Sequence, residues 1–261
     1  MLRSLHISKT GMDASQFRLD VITNNLANVN TTGFKRSRGV FEDLMYQVIR
    51  QPGAQSSATT QLPVGLMVGT GSAAVATERM HTQGNLQNTE NSFDVAIDGN
   101  GFFQVEMPDG STAYTRDGSF KRSNTGELVT SSGYRVVPGI TIPVDTKSMV
   151  ISANGDVSLT NSAGATTVVG SITTANFVNP AGLESIGGNL YRETPASGAA
   201  DVGAPNDPAG GRGALKQGFL ENSNVNITQE LVDMIQAQRA FEINSRGIKT
   251  SDEMLQRLSQ L

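Results

Sequence analysis

The chain has 261 residues, no cysteine, no tryptophan and a formal net charge of −4, from 24 acidic and 20 basic side chains. Without cysteine, it can form no disulfide, no thiolate metal site and no cysteine nucleophile. Acidic and basic residues are interspersed, so we expect no basic surface that attracts nucleic acid. No stretch approaches the roughly 20 apolar residues that span a bilayer, and residues 1–20 lack the apolar core of a secretory signal peptide. We therefore expect no membrane insertion, and any export would proceed without a cleaved signal peptide.

The first predicted element is a helix from about Leu2 to Val29, because apolar side chains recur at every seventh position. The candidate contact positions of this helix are Leu5, Met12, Leu19, Ile22, Leu26 and Val29. A sustained seven-residue spacing holds one stripe of a helix against a partner helix. The helix should end near residues 28–33, where Asn, Thr and Gly accumulate and where Gly33 can take the left-handed conformation that follows a helix C-terminus.

A polar connector over residues 33–69 is the next predicted segment. Residues 50–63 contain two prolines and little apolar surface, so they should be extended or ordered only by neighbouring molecules. The candidate contact residues of this connector are Arg50, Gln51, Pro52, Gln61, Leu62, Pro63 and Gly65.

The middle of the chain has the pattern of β-hairpins. Short apolar alternations are separated by Asp-Gly and Asn-Gly pairs at intervals of about ten residues. Proline and glycine accumulate near 138–143 and again over 195–213, where the chain can cross between sheets. We therefore predict a β-rich domain over 70–140 plus 195–222, and a smaller outer β lobe over 141–194.

The last predicted element is a second helix. Asn226 and Gln229 have the spacing of a capping box, and Glu230 and Arg257 match the helix dipole at the two ends. Its candidate contact positions are Ile227, Leu231, Met234, Phe241, Ile248 and Leu255. A second row that starts at Leu231 becomes polar at positions 238 and 245, which favours contact with several neighbouring helices.

The two terminal segments, 1–32 and 223–261, are predicted to form a coiled-coil-like inner domain. The predicted fold is therefore α+β and mainly β, with β-rich domains inserted between long terminal helices. Periodicity alone leaves an alternative, in which both helices close one ordinary domain by packing on its own β core.

Candidate catalytic and ligand-binding patterns are weak. A Gly-rich stretch near residue 70 has dinucleotide-loop spacing but no surrounding βαβ unit. The segment from Asp94 resembles a calcium loop, but Ala96 and Val105 occupy two ligand positions. The two histidines, His6 and His81, are far apart in sequence and have no flanking carboxylates at ligand spacing. We predict no catalytic, cofactor or metal site and no enzyme activity.

The stretch 24–35 closely resembles the motif that marks the rod and hook proteins of the bacterial flagellum. The matching residues are Asn25, Leu26, Ala27, Asn28, Thr31, Gly33, Phe34 and Lys35. Further matches follow in the family's order at 98–103, 114–120, 126–134 and 222–242. The chain length and the extra connector resemble the distal rod branch of this family. A proximal rod paralogue or a hook-type axial protein is the alternative.

This resemblance implies a structural subunit that stacks helically into a hollow shaft, encloses the export channel and passes torque from motor to hook. The implied partners are copies of the chain, proximal rod proteins, the hook protein, the P-ring and L-ring bushing proteins and the flagellar type III export apparatus. The implied location is the basal body, from periplasm to outer membrane. A carbohydrate-binding β module stays open as another class, although Tyr114, Tyr134 and Tyr191 are scattered along the chain.

Overall fold

The computed structural model describes residues 2–53, 63–162 and 164–259. Its internal contacts divide the chain into two units. The first unit contains Met1–Ala27, Ser37–Glu78 and Asn226–Leu261, and the second contains Asn28–Arg36 and Arg79–Val225. Each unit is therefore assembled from stretches that lie far apart in sequence.

Two α-helices form the ends of the described chain: α1 (Leu2–Ala27) and α2 (Ile227–Ser259). Twenty strands lie between them, so the predicted α+β fold with terminal helices and a β-rich middle is confirmed. α1 ends at Ala27 and not at the predicted Val29, because the Thr31 amide donates to the Asn28 carbonyl (3.1 Å) and turns the chain. No helix of the described residues is both long and apolar enough to cross a membrane.

The start of α2 is fixed by a side-chain cap. The Asn226 Oδ1 atom accepts hydrogen bonds from the backbone amides of Thr228 (3.0 Å) and Gln229 (3.3 Å). These amides have no partner within the helix, so the cap satisfies them. The reciprocal half of the predicted capping box does not form, because the Gln229 side chain donates instead to Asp233 (3.3 Å).

The two helices of the first unit pack side by side and run antiparallel. The Ser4 and Ser251 hydroxyl oxygens are 3.4 Å apart near one end of the pair. At the other end, the Asn25 Nδ2 atom donates to the Glu230 Oε2 atom over 3.2 Å. Residue numbers therefore rise along α1 as they fall along α2.

Small and polar residues form most of the contact between the helices, which we call the helix seam. On α1 the seam positions are Ser4, Ser8, Gly11, Ser15, Arg18, Ile22 and Asn25. On α2 they are Glu230, Asp233, Ala237, Asn244, Gly247 and Ser251. The glycines allow close approach: a Cβ atom on Gly11 would lie 2.7 Å from the Asn244 side chain.

The apolar rows predicted from the sequence lie beside this seam. Leu5, Met12, Leu19 and Leu26 of α1 each follow a seam residue by one position, as Met12 follows Gly11, and Met234 and Ile248 do the same on α2. One residue is a rotation of about 100° around a right-handed helix. Because the helices are antiparallel and their seams face each other, this rotation brings both apolar rows to the same side of the pair. We call that side the apolar face.

The row of α2 that faces α1 lies beside the predicted contact rows. The sequence analysis named a second contact row that starts at Leu231, four residues after each heptad position, for contact with neighbouring helices. The structure buries the row of Ala237, three residues after each apolar position, while Leu231 is exposed. Both rows have helical spacing, so only the position of α1 decides between them.

Two β-ribbons complete the first unit. Strand β1 (Ser37–Asp43) pairs with β4 (Ser72–Arg79), and β2 (Tyr46–Arg50) pairs antiparallel with β3 (Leu66–Gly69). The Phe17 ring of α1 packs edge-on against Phe41 of β1, with ring centroids 6.1 Å apart. The stretch predicted as an extended connector therefore contains strands at both of its ends.

The second unit consists of strands and one short 3₁₀ helix, Pro180–Gly182. The strands in chain order are β5 (Leu86–Asn88), β6 (Val95–Asp98), β7 (Phe102–Glu106), β8 (Thr112–Thr115), β9 (Lys121–Arg122), β10 (Leu128–Val129), β11 (Arg135–Val137), β12 (Thr146–Ile151), β13 (Asp156–Asn161), β14 (Thr166–Ser171), β15 (Thr174–Asn176), β16 (Glu184–Gly187), β17 (Leu190–Arg192), β18 (Asp201–Gly203), β19 (Ala214–Gln217) and β20 (Phe219–Glu221).

The largest sheet has the order β16-β17-β8-β7-β11-β10-β9, with β15 joining β7 to β18. Strands β12, β13 and β14 form a separate antiparallel sheet, and β19 and β20 pair with β6 and β5. One apolar cluster contains residues of both main sheets, for example Phe103 and Val136 with Ile151 and Leu159. The strands predicted for the outer lobe thus share a core with the rest of this unit.

Candidate functional site

The motif residues of α1 hold the end of that helix in the first unit. Asn25 is buried, and its Oδ1 atom accepts from the Ser37 amide (2.9 Å). Its Nδ2 atom donates to the Ser37 carbonyl (2.8 Å) and to the Glu230 carboxylate (3.2 Å). One amide side chain therefore satisfies both backbone groups of Ser37 and binds α1 to β1 and α2. Of the other motif residues in α1, Leu26 is half-buried and Ala27 is exposed.

The motif residues after α1 belong to the second unit and form a turn. The Thr31 hydroxyl donates to the Asn28 side chain (3.2 Å), and the Gly33 amide donates to the Glu221 carbonyl (2.8 Å). Gly33 has φ +68°, and a Cβ atom there would lie 2.7 Å from the Asp117 amide nitrogen. This position therefore requires glycine. Phe34, the next residue, is buried.

Lys35 ends the motif in a buried ion cluster. Its Nζ atom lies 2.5 Å from Glu221 Oε1 and donates to the Thr82 carbonyl (2.8 Å). The Arg116 Nε atom lies 2.9 Å from Glu221 Oε2, an ion pair whose direction falls outside hydrogen-bond geometry. The Lys35 and Glu221 side chains are each 1% exposed. One carboxylate thus binds two cations where water does not reach, which makes the loss of either partner costly.

The surroundings of Lys35 act on the pKa of its amine in two opposite directions. Burial lowers the pKa of the Lys35 amine, the Arg116 charge lowers it further, and Glu221 partly offsets both. The Gly84 amide also donates a hydrogen bond to the Glu221 Oε1 atom (2.8 Å), so this oxygen binds both the Lys35 amine and a backbone amide.

Asn224 connects the same three segments of the second unit. Its Oδ1 atom accepts from the Arg36 amide (2.7 Å), and its Nδ2 atom donates to the carbonyls of Met80 (2.8 Å) and Thr82 (3.1 Å). The Met80 amide donates in turn to the Arg36 carbonyl (2.9 Å). We call the meeting of residues 33–36, 79–84 and 221–224 the junction.

The predicted helix contact positions differ in how much surface they keep. Ile22 is buried in the helix seam and so contributes within the chain. Val29 is half-buried in the turn after α1. Seven others are half-buried within the two helices: Leu5, Met12, Leu19, Leu26, Met234, Ile248 and Leu255. The side chains of Ile227 (47%), Leu231 (44%) and Phe241 (38%) are exposed.

The predicted connector residues lie on or beside the exposed β2–β3 ribbon. Arg50 is the last residue of β2, and Gln51, Pro52 and Pro63 are exposed beside the ribbon, while Gly65 is half-buried. Gln61 and Leu62 lie outside the described residues. The ribbon exposes apolar side chains on both strands, which are Tyr46, Val48, Ile49, Leu66 and Met67.

The sequence did not reveal the partners of four polar residues that organise these contacts: Arg116, Glu221, Asn224 and Glu230. Arg116 and Asn224 lay inside stretches that matched the family pattern, but nothing local identified their partners. The burial of Glu221 could have been suspected, because this carboxylate directly follows the apolar pair at 219–220 at the end of a strand. A charge in that position is buried only when it is paired.

No group of three or more His, Asp or Glu residues within the described part of the chain could hold a metal ion. A cavity of about 230 Å³ in the second unit is lined by His81, Asn100, Phe102, Arg116 and Phe177, among others. The contacts described above hold segments of the chain together that are distant in sequence, which is a structural role.

Known flagellar proteins are similar to this chain over most of its length. Family models match as "Flagella basal body rod protein" over 5–35, "Flagellar hook protein FlgE/F/G D1 domain" over 96–159 and "Flagellar basal body rod FlgEFG protein C-terminal" over 216–261. Proteins named "Flagellar basal-body rod protein FlgG" are 56% identical in Buchnera aphidicola, 49% in Agrobacterium fabrum and 47% in Bacillus subtilis. These matches cover 100%, 97% and 100% of this chain, and 100%, 97% and 99% of the relatives.

The chain belongs to the family of flagellar basal-body rod proteins. The family resemblance predicted from the motif is therefore confirmed, and this rod protein is a structural subunit of the flagellar basal body and not an enzyme. Its motif residues bind segments to each other, as a structural role requires.

Replacing Lys35 by methionine should destabilise the second unit. The change removes the charge-assisted hydrogen bond from Lys35 and leaves Glu221 with Arg116 as its cation, which should cost about 1.5–3 kcal/mol of unfolding free energy. The double variant Lys35→Met/Glu221→Gln should lose further stability, because it leaves the buried Arg116 cation without its carboxylate partner. Urea denaturation followed by circular dichroism measures both.

The matched control is Lys121→Met, which removes an exposed lysine from the same unit and should change the unfolding free energy by less than about 0.5 kcal/mol. Equal effects of Lys35→Met and Lys121→Met would contradict the role assigned to the ion cluster.

Proposed function

We propose that this chain is a subunit of the distal rod, and that it polymerises helically into the drive shaft that transmits torque from motor to hook and encloses the export channel. The observation that carries the proposal is the apolar face, where two heptad rows lie on one side of the α1–α2 pair. Full-length similarity to proteins named FlgG favours the distal rod over a proximal rod or hook-type protein.

The energetics favour burial of the apolar face between copies. Fully burying one Leu, Ile or Phe side chain contributes roughly 1.5–3 kcal/mol. The helix seam buries mainly Ser, Gly, Ala and Asn side chains, so it leaves most of this contribution unused within one chain. Helices of adjacent copies can supply the missing surface as a coiled-coil-like inner domain. A head-to-tail contact whose rotation does not close then extends into an open helical array.

The proposed contact residues are those of the predicted rows: Leu5, Met12, Leu19, Leu26 and Val29 of the first segment, and Ile227, Leu231, Met234, Phe241, Ile248 and Leu255 of α2. The proposed partners besides copies of the chain are the proximal rod proteins, the hook protein, the P-ring and L-ring proteins and the type III export apparatus. In this proposal the subunit is exported without a cleaved signal peptide and spans periplasm to outer membrane.

The double variant Met12→Gln/Leu19→Gln tests the apolar face. We expect the second unit to keep its unfolding free energy while the concentration needed for polymerisation rises at least ~tenfold, because each lost apolar contact exceeds about 1.4 kcal/mol. Sedimentation and negative-stain electron microscopy measure assembly. Gln16→Asn, an exposed α1 change outside both apolar rows and the seam, is the control. Normal assembly of the double variant would count against the proposal.

We further propose that residues 50–67, within the second half of the connector, brace adjacent subunits so that they do not slide past each other. Support comes from the β2–β3 ribbon, because a two-stranded ribbon is marginally stable alone and this one exposes apolar side chains along both strands. A surface of an adjacent copy would bury these side chains and fix the spacing between copies.

Deleting residues 50–67 should therefore produce assemblies that bend. The curvature of assembled tubes, measured by electron microscopy, should increase relative to the unmodified protein. A same-length replacement of residues 54–60 by Gly and Ser serves as a milder control, since it keeps both strands of the ribbon. Straight, rigid tubes from the deletion variant would refute the bracing role.

A further inference from the structure

His81 lies within the junction of the second unit, between two aromatic rings. Its ring centroid is 5.5 Å from that of Phe102 and 5.5 Å from that of Tyr191, and both contacts are edge-on. The Nδ1 atom is buried and has no hydrogen-bond partner among the residues that the structure describes. A proton added at this nitrogen would create a buried donor without an acceptor, which costs free energy.

The charged groups that face His81 are mostly cations. Lys35, Arg79 and Arg116 each act electrostatically on the ring. Arg79 lies 5.3 Å above the Tyr191 ring and donates to its hydroxyl (3.1 Å). The neighbouring carboxylate, Glu221, already binds Lys35 and Arg116. An imidazolium at this position would add a fourth positive charge to the cluster.

The residues on either side of His81 carry the hydrogen bonds of the junction. The Met80 carbonyl and the Thr82 carbonyl both accept from Asn224, and the Thr82 carbonyl also accepts from Lys35. A ring that moved away from the cations would therefore displace the carbonyl groups that hold residues 33–36 and 221–224.

We propose that His81 is an acid-sensitive switch of the junction: protonation of its buried ring releases residues 33–36 and 221–224 from the segment 79–84. These two stretches are adjacent in sequence to the two terminal helices, so acid would loosen the second unit where the chain enters and leaves it. The switch is independent of polymerisation, because every group involved belongs to the second unit of one chain.

The pKa of His81 is shifted in the direction that such a switch requires. Burial, and then the charges of Lys35, Arg79 and Arg116, lower the pKa of His81 from 6.5 to about 4. The folded state therefore favours the neutral ring, while the unfolded chain takes up a proton near pH 6.5. The stability contributed by the neutral ring is fully present above pH 6.5 and is lost as the pH falls from 6.5 towards 4.

Hydrogen exchange on the full-length chain at low concentration tests the proposal. Between pH 6.5 and pH 4, after correction for intrinsic rates, exchange at 33–36 and 221–224 should accelerate at least ~tenfold. His81→Phe keeps a ring against Phe102 and Tyr191 but cannot titrate, so the acceleration should disappear. His6→Gln is the matched control, because it removes the other histidine, which is exposed on α1, and should behave as the unmodified chain.

An equal acceleration in His81→Phe would overturn the proposal, since carboxyl titration is common to both proteins. Absence of any acceleration in the unmodified chain would overturn it as well. If His81→Phe does not fold at pH 6.5, NMR titration of the unmodified chain decides. The midpoint of the exchange transition must then coincide with that of the His81 ring signals, and separate midpoints refute the switch.

Discussion

The contact between α1 and α2 is the interaction on which the proposed assembly of this rod protein depends. Small and polar side chains bring the helices close, but they bury little apolar surface. Hydrophobic burial scales with the apolar area removed from water, so this seam stabilises the pair only weakly. The heptad rows lie on one side of the pair instead of inside it. The helix pair therefore presents an apolar face, and in the proposed assembly copies of the chain provide the surface that covers it.

Polar contacts define the ends of these helices more firmly than apolar ones. Asn25 binds the last turn of α1 to both neighbours in the first unit, and Glu221 holds the following segment in the second unit through Lys35. Buried hydrogen-bonded groups tolerate few alternative arrangements, because an unpaired one costs about 1–3 kcal/mol. The family motif thus combines two anchoring residues, one for each unit, around a turn that needs glycine at position 33.

Local patterns predicted the elements of the fold, and long-range pairings escaped them. Seven-residue spacing and a capping residue located both helices, and regular Asp-Gly turns indicated the β-rich middle. The choice between the rows of Ala237 and Leu231 depends on where α1 lies, which no window of the α2 sequence contains. The partners of Lys35 are similarly distant in sequence, so the ion cluster and the acid-sensitive position of His81 emerge only from the folded chain. The motif residues were found through a resemblance, and their contacts through the structure.

Hydrogen exchange across the terminal helices, in dilute monomer and in assembled tubes, tests the central claim most directly. If the helix seam alone cannot stabilise the pair, residues 5–26 and 227–255 exchange rapidly in the dilute monomer and become protected on assembly, while the core strands of the second unit are protected in both states. Strong protection of both helices in the dilute monomer, unchanged by assembly, would contradict the account, because the chain would then satisfy its own ends without any other copy.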